Sequence, residues 1–122
     1  MSSASSPIDT DPAGHDLITL PDVAELLALP ITKVHQLLKD GKLVVTRDAE
    51  GRRVLPRIFV AQGAPLKGLP GVITLLRDGG FSDDEIVQWL LREDETLPGS
   101  PAQALAENRG TEVKRRAQAA AF

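Results

Sequence analysis

The residues of this chain best placed to do chemistry together are its cations. Nine of them (Lys33, Lys39, Lys42, Arg47, Arg52, Arg53, Arg57, Lys67 and Arg77) fall within residues 31–77 against three acids, Asp40, Asp48 and Glu50. The flanks have the opposite sign. Residues 1–30 carry five acids (Asp9, Asp11, Asp16, Asp22 and Glu25) and no Lys or Arg, and residues 78–122 carry nine acids against five bases. The formal net charge of −3 therefore hides a basic centre between acidic ends. Such a centre fits phosphate neutralisation, because it is where charge sits rather than its sum that makes an electrostatic footprint.

Other chemistries find little support. Without cysteine the chain has no disulfide, thiolate nucleophile or cysteine zinc site, which fits a reducing compartment. His15 and His35 have no partner at a metal-ligand spacing. Asp83, Asp84 and Glu85 sit where a helix begins, so the dipole accounts for them, and Glu93, Asp94 and Glu95 follow further on. No phosphate loop, nucleophile elbow or Ser/His/Asp order is present, and Gly79-Gly80 follows a helix rather than a strand. The expectation is a non-enzyme without cofactor or metal.

At 122 residues with 42% apolar and 25% charged content, the chain has the composition of one globular core. Aromatics are only 3%, so Leu, Val, Ile and Ala must build that core, which favours helices. The segment Met1-Ser2-Ser3-Ala4-Ser5-Ser6 lacks the basic and apolar runs of a signal peptide, and no run of about 18 apolar residues offers a membrane span. A cytoplasmic location is expected.

Residues 1–16 are rich in Ser, Asp, Pro and Gly and read as a disordered tail. Pro21 and Asp22 mark a helix start, with Val23, Ala24, Leu26 and Leu27 as its buried stripe, and Ala28-Leu29-Pro30 breaks it. A second helix, with Thr32 as N-cap, should run to about Asp40 and stop at Gly41. Val34, Leu37 and Leu38 form its inward face. At about 100° per residue Thr32, Gln36 and Lys39 lie opposite them, with Lys33, His35 and Asp40 on the flanks. Leu43 to Arg47 and Arg52 to Leu55, joined by Asp48-Ala49-Glu50-Gly51, read as a β-hairpin that Pro56 ends. A third helix fits Leu69 to Asp78. Ser82 and Glu85 form a capping box for a fourth, running to about Arg92 and burying Ile86, Trp89 and Leu90. Ser100-Pro101 opens a short helix, and a last one follows Thr111.

This order predicts a mainly α fold with a small β-hairpin: a winged helix-turn-helix over 17–61 and a C-terminal helical region over 62–122 packed on that head. Helix, turn, helix and basic hairpin is the layout in which the second helix enters the major groove of double-stranded DNA while the wing contacts backbone or minor groove. Thr32, Gln36 and Lys39 are types that reach base edges or phosphates, and Gln36 is the leading candidate for base readout. Lys33, Lys42, Arg47, Arg52, Arg53 and Arg57 read as phosphate neutralisers, with Arg52 or Arg53 an alternative reader of a narrow minor groove. The expected role is sequence-specific or nucleoid-type binding, as in a transcriptional regulator.

Three stretches carry a family resemblance. They are Leu20-Pro21-Asp22-Val23-Ala24-Glu25-Leu26-Leu27 with Lys33-Val34 and Gly41-Lys42-Leu43-Val44; Leu69-Pro70-Gly71 with Asp78-Gly79-Gly80-Phe81, Glu85-Ile86 and Trp89-Leu90; and Glu112 to Phe122. In these the chain resembles small actinobacterial winged helix-turn-helix DNA-binding proteins, a family that includes a mycobacterial Ser/Thr-kinase substrate. The resemblance implies the same fold, DNA binding and a Ser/Thr protein kinase as a further partner. Thr10, between Asp9 and Asp11, is the phosphorylation candidate. Residues 85–105, with Trp89-Leu90-Leu91 and Leu97-Pro98-Gly99-Ser100-Pro101, are also similar to the toxin-binding region of some bacterial antitoxins, which makes Trp89 a partner-binding candidate and a protein-binding module the alternative function.

Overall fold

The computed structural model describes residues 16–61, 63–92 and 99–122. Thr10, His15, Glu93, Asp94, Glu95, Leu97 and Pro98 lie outside them, as does all of the expected tail except Asp16.

The chain enters through β1 (Leu17–Thr19), a strand that the sequence reading did not anticipate, because three residues are too few to show alternation. Thr19 ends it and caps α1 (Leu20–Leu27). Its hydroxyl accepts from the Asp22 N–H while the Asp22 carboxylate accepts from the Thr19 N–H at 3.1 Å, a reciprocal capping box. Leu20, Val23 and Leu27 are buried, Ala24 is half-buried, and Leu26 is 38% exposed, so the expected stripe is corrected at Leu26 and extended to Leu20. Ala28 turns left-handed at φ 55° and closes the helix.

Helix α2 (Ile31–Lys39) has Pro30, not Thr32, at its N-cap. Proline supplies the entry geometry by itself, with φ −62° and extended ψ, and its carbonyl accepts from the Lys33 N–H at 2.9 Å, so Thr32 falls inside the first turn. Gly41, at φ +74°, lets the Lys42 N–H return to the Leu37 carbonyl at 2.9 Å.

The hairpin is shorter than expected. Leu43 and Val44 are fully buried and cross the core, leaving β2 as Thr46–Arg47 and β3 as Arg53–Pro56. Apolar β-branched composition is a weak strand signal that tertiary context overrides, and here it holds for Val54 and Leu55 but not for Leu43 and Val44. The sheet order is β1-β3-β2, antiparallel throughout, with Val54 opposite both Thr19 and Thr46. A 3-10 turn over Arg57–Phe59 then drops Phe59 into the core.

Four helices follow: α3 (Leu69–Asp78), α4 (Asp83–Leu91), α5 (Pro101–Ala106) and α6 (Gly110–Ala121). Ser82 and Glu85 make the expected capping box, with the Glu85 N–H on Ser82 Oγ at 3.2 Å and the Ser82 N–H on Glu85 Oε1 at 2.8 Å. Ser100 Oγ accepts from the Gln103 N–H at 3.1 Å and starts α5. The last helix begins at Gly110, ahead of Thr111. Helix α4 buries Ile86, Val87, Leu90 and Leu91; Trp89 is only half-buried, because the buried arc of this helix is centred on Leu90 and spreads to Val87 rather than to the indole.

One apolar cluster runs from Ile18 through Val34, Phe59, Leu69 and Ile86 to Ala117, so the helix-turn-helix and the later helices share a core. Burying a large apolar side chain stabilises by roughly 1.5–3 kcal/mol, which makes that shared cluster the main tie between the two halves. No helix among the described residues is long and apolar enough to cross a membrane.

Candidate nucleic-acid interface

The exposed face of α2 is as its periodicity predicts: Thr32, Lys33, His35, Gln36, Lys39 and Asp40 face solvent while Val34 is fully buried. Two of these side chains meet. Gln36 Nε2 donates to Asp40 Oδ1 at 2.9 Å, one helical turn on. This bond orients the amide and leaves its oxygen and one N–H facing outward. Lys33, Lys39 and Lys42 are exposed and have no acidic partner within ion-pair distance among the described residues.

The wing is organised by an acid. Asp48 Oδ1 accepts from the backbone N–H groups of Glu50 and Arg52, each at 2.9 Å, and Oδ2 accepts from Arg52 Nε at 2.7 Å. The Asp48 side chain is 5% exposed. Its desolvation opposes ionisation, but the hydrogen bonds from Arg52 and Glu50 and the guanidinium charge outweigh that and hold its pKa below the ordinary carboxylate value. Gly51, at φ +82°, closes the turn through its N–H on the Asp48 carbonyl at 3.0 Å. An Asp starting a four-residue loop that ends in Gly is the signal that would have found this arrangement in the sequence.

The wing arginines therefore differ. Arg52 is held by Asp48 and lies 3.4 Å from Glu50. Arg47 Nη1 donates to the Gly51 carbonyl at 2.7 Å. Arg57 lies 3.9 Å from Asp16 at the far end of the sheet. Arg53 stands directly across the ladder from Arg47, exposed, with no acidic partner among the described residues.

The wing is also tied to the C-terminal half. Thr46 Oγ1 donates to Asp84 Oδ1 at 2.7 Å. Nearby, Arg77 donates to Asp83 Oδ1 through Nε at 3.2 Å and Nη2 at 2.9 Å. A Cβ placed on Gly41 would sit 3.3 Å from Arg77 Nη1, so the guanidinium lies against the backbone that leaves α2. Asp84 and Arg77 are site-adjacent residues that spacing could not reveal, being 38 and 36 residues from Thr46 and Gly41. No cluster of three or more metal-ligating side chains occurs among the described residues.

Known proteins resemble this chain in sequence and fold. Residues 7–60 match a family model described as DNA-binding protein Rv2175c, wHTH domain, and residues 66–121 match one described as Rv2175c C-terminal domain of unknown function. DNA-binding protein Rv2175c of Mycobacterium tuberculosis is 42% identical over 131 aligned residues, covering 91% of this chain and 89% of the relative. The chain belongs to the Rv2175c family. The NMR structure of Rv2175c matches with a TM-score of 0.82 at 41% identity, over 92% of this chain and 84% of that one. Membership covers both halves, so the winged helix-turn-helix and the helices behind it are family features together, as the three resembling stretches led one to expect.

Proposed function

We propose that this protein binds double-stranded DNA through α2 and the wing, as a sequence-specific or nucleoid-type regulator without cofactor. The carrying observation is that Lys33, Lys39, Lys42 and Arg53 are exposed on the helix, its exit and the wing, with no acidic partner among the described residues. Structural ion pairs would have absorbed such charges; these remain for phosphates. The name of the Mycobacterium tuberculosis relative agrees with this reading. Gln36, oriented by Asp40, is the base-reading candidate, and Thr32 stands beside it on the same face. The test is binding to a random duplex by fluorescence anisotropy at several salt concentrations. With about four phosphate contacts, affinity should drop by on the order of a hundredfold between roughly 50 and 200 mM salt. Absence of binding at the low end would refute the proposal.

A second reading concerns the other end of the molecule. Trp89, Arg92, Pro101, Arg116 and Ala119 line a surface cavity of about 220 Å³, which favours α4 as a contact for another protein. A stoichiometric partner, lost on Trp89→Ala with the fold intact, would establish it. A Ser/Thr kinase acting on Thr10 is a further proposal; its phosphate would add about −1.5 to −2 charges and weaken DNA binding by repulsion. Thr10→Glu protein binding as tightly as wild type at equal salt would remove that idea.

A further inference from the structure

The C-terminal half touches the candidate interface at one corner, where α3 ends and α4 begins. We propose that this corner is a positioning device for the wing, with Asp84 and Arg77 as positioning residues that act through Thr46 and Gly41; the inference rests on the DNA-binding reading above. The segment from Gly41 to Thr46 joins α2 to the wing, and its middle is anchored by Leu43 and Val44, both fully buried. Arg77, itself held by Asp83, lies against the start of the segment at Gly41. Asp84 accepts the Thr46 hydroxyl at the other end, at 2.7 Å. Helix and wing are thus held in one relative position by neighbouring residues of a single corner.

The consequence falls on Arg53. It is opposite Arg47, the residue after Thr46, so the angle at which the arginine pair is presented depends on where Thr46 is held. A two-residue strand offers few ladder bonds of its own, so a side-chain bond from outside the hairpin carries weight. The corner has bonds of its own: the α4 capping box and the Arg77 to Asp83 pair flank Asp84. Asp84 is also an acid placed behind a cationic wing, where it opposes rather than adds to DNA attraction. Its charge also suits the first turn of α4, so acceptor and charge must be separated by experiment.

That distinction supplies the test. Asp84→Asn keeps an acceptor oxygen and removes the charge, Asp84→Ala removes both, and Thr46→Val removes the donor with little change of shape. Duplex affinity would be measured by anisotropy, and amide hydrogen exchange at Asp48 and Gly51, whose N–H groups close the wing turn, would be followed in the same proteins without DNA. Asp84→Ala should bind on the order of fivefold more weakly than Asp84→Asn, Thr46→Val should weaken binding by a similar factor, and the two losses should not add when Thr46→Val and Asp84→Ala are combined. Exchange at Asp48 and Gly51 should quicken by a like factor in Thr46→Val. If wild type binds but Asp84→Ala matches Asp84→Asn and exchange is unchanged, the positioning role is wrong while DNA binding stands. If wild type does not bind at about 50 mM salt, the DNA reading fails and this inference fails with it.

Discussion

Arg47 and Arg53 face each other across the β2–β3 ladder, both exposed. Like charges directly opposite across an antiparallel ladder destabilise it, so the pair is not explained by folding. Arg47 relieves part of the repulsion by turning to the Gly51 carbonyl. Arg53 is exposed, with no acidic partner among the described residues, which is the state the proposed phosphate contact requires.

The two neighbouring wing arginines should therefore behave differently. Arg53→Ala is expected to lower duplex affinity several-fold across all sequences and to reduce the salt slope by about one contact. Arg52→Ala should instead loosen the wing turn, since Arg52 is engaged by Asp48 at 2.7 Å, with a smaller change in slope. Anisotropy across a salt series separates the two, and an equal change in slope would contradict the assignment.

Gln36→Ala should relax discrimination at one base position by about 1–3 kcal/mol while leaving random-duplex binding nearly unchanged. Selection of bound duplexes from a random pool, with wild type and variant compared, measures this. A uniform loss on every sequence would mark Gln36 as a backbone contact.

Wing order should depend on pH through Asp48. Its folded pKa is depressed, so its contribution is fully present above the unfolded carboxylate value and is lost as pH falls through the folded one. Amide exchange at Arg52 and Glu50, corrected for intrinsic rates, should show increased opening in the acid range below about pH 4, and Asp48→Ala should show that opening already at neutral pH. No difference between wild type and Asp48→Ala at neutral pH would rule the acid out as the organiser of the turn.

The end of α6 closes over the end of α3. A Cβ on Gly79 would fall 2.7 Å from the Ala121 Cα and 2.9 Å from its carbonyl oxygen, inside any tolerable contact. Gly79→Val should therefore destabilise by about 1–3 kcal/mol in a chemical unfolding curve. Gly80→Ala meets no neighbouring atom but sits at φ +93°, so its smaller cost should come from backbone strain alone. Equal losses in the two variants would show that the packing is not the cause.

Much of the fold was legible because its signals are local. Ser82 and Glu85, three residues apart, wrote the start of α4; Gly41 and Gly79-Gly80 wrote two helix ends; and Val34, Leu37 and Leu38 showed which side of α2 faces inward. The errors fell where local and tertiary preferences compete. Leu43-Val44-Val45 has strand composition, yet Leu43 and Val44 are buried outside the ladder, which begins only at Thr46. Trp89 has the spacing of a core residue, yet the buried arc of α4 spreads from Leu90 toward Val87 and Leu91, and Trp89 on the opposite flank is only partly buried against the core.

By itself, the sequence determined the helix-turn-helix with its basic wing, the absence of cysteine chemistry and which positions of the helix and wing carry cations, since periodicity, caps and charge placement act over a few residues. Only the tertiary structure decided which of those cations are already engaged. Asp48 holds Arg52 through a turn whose geometry must exist before the bond can form, and Asp84 holds Thr46 from 38 residues away because α4 folds back onto β2. Electrostatic and hydrogen-bond partners depend on distance in space, and chain spacing carries that information only where the intervening backbone is regular.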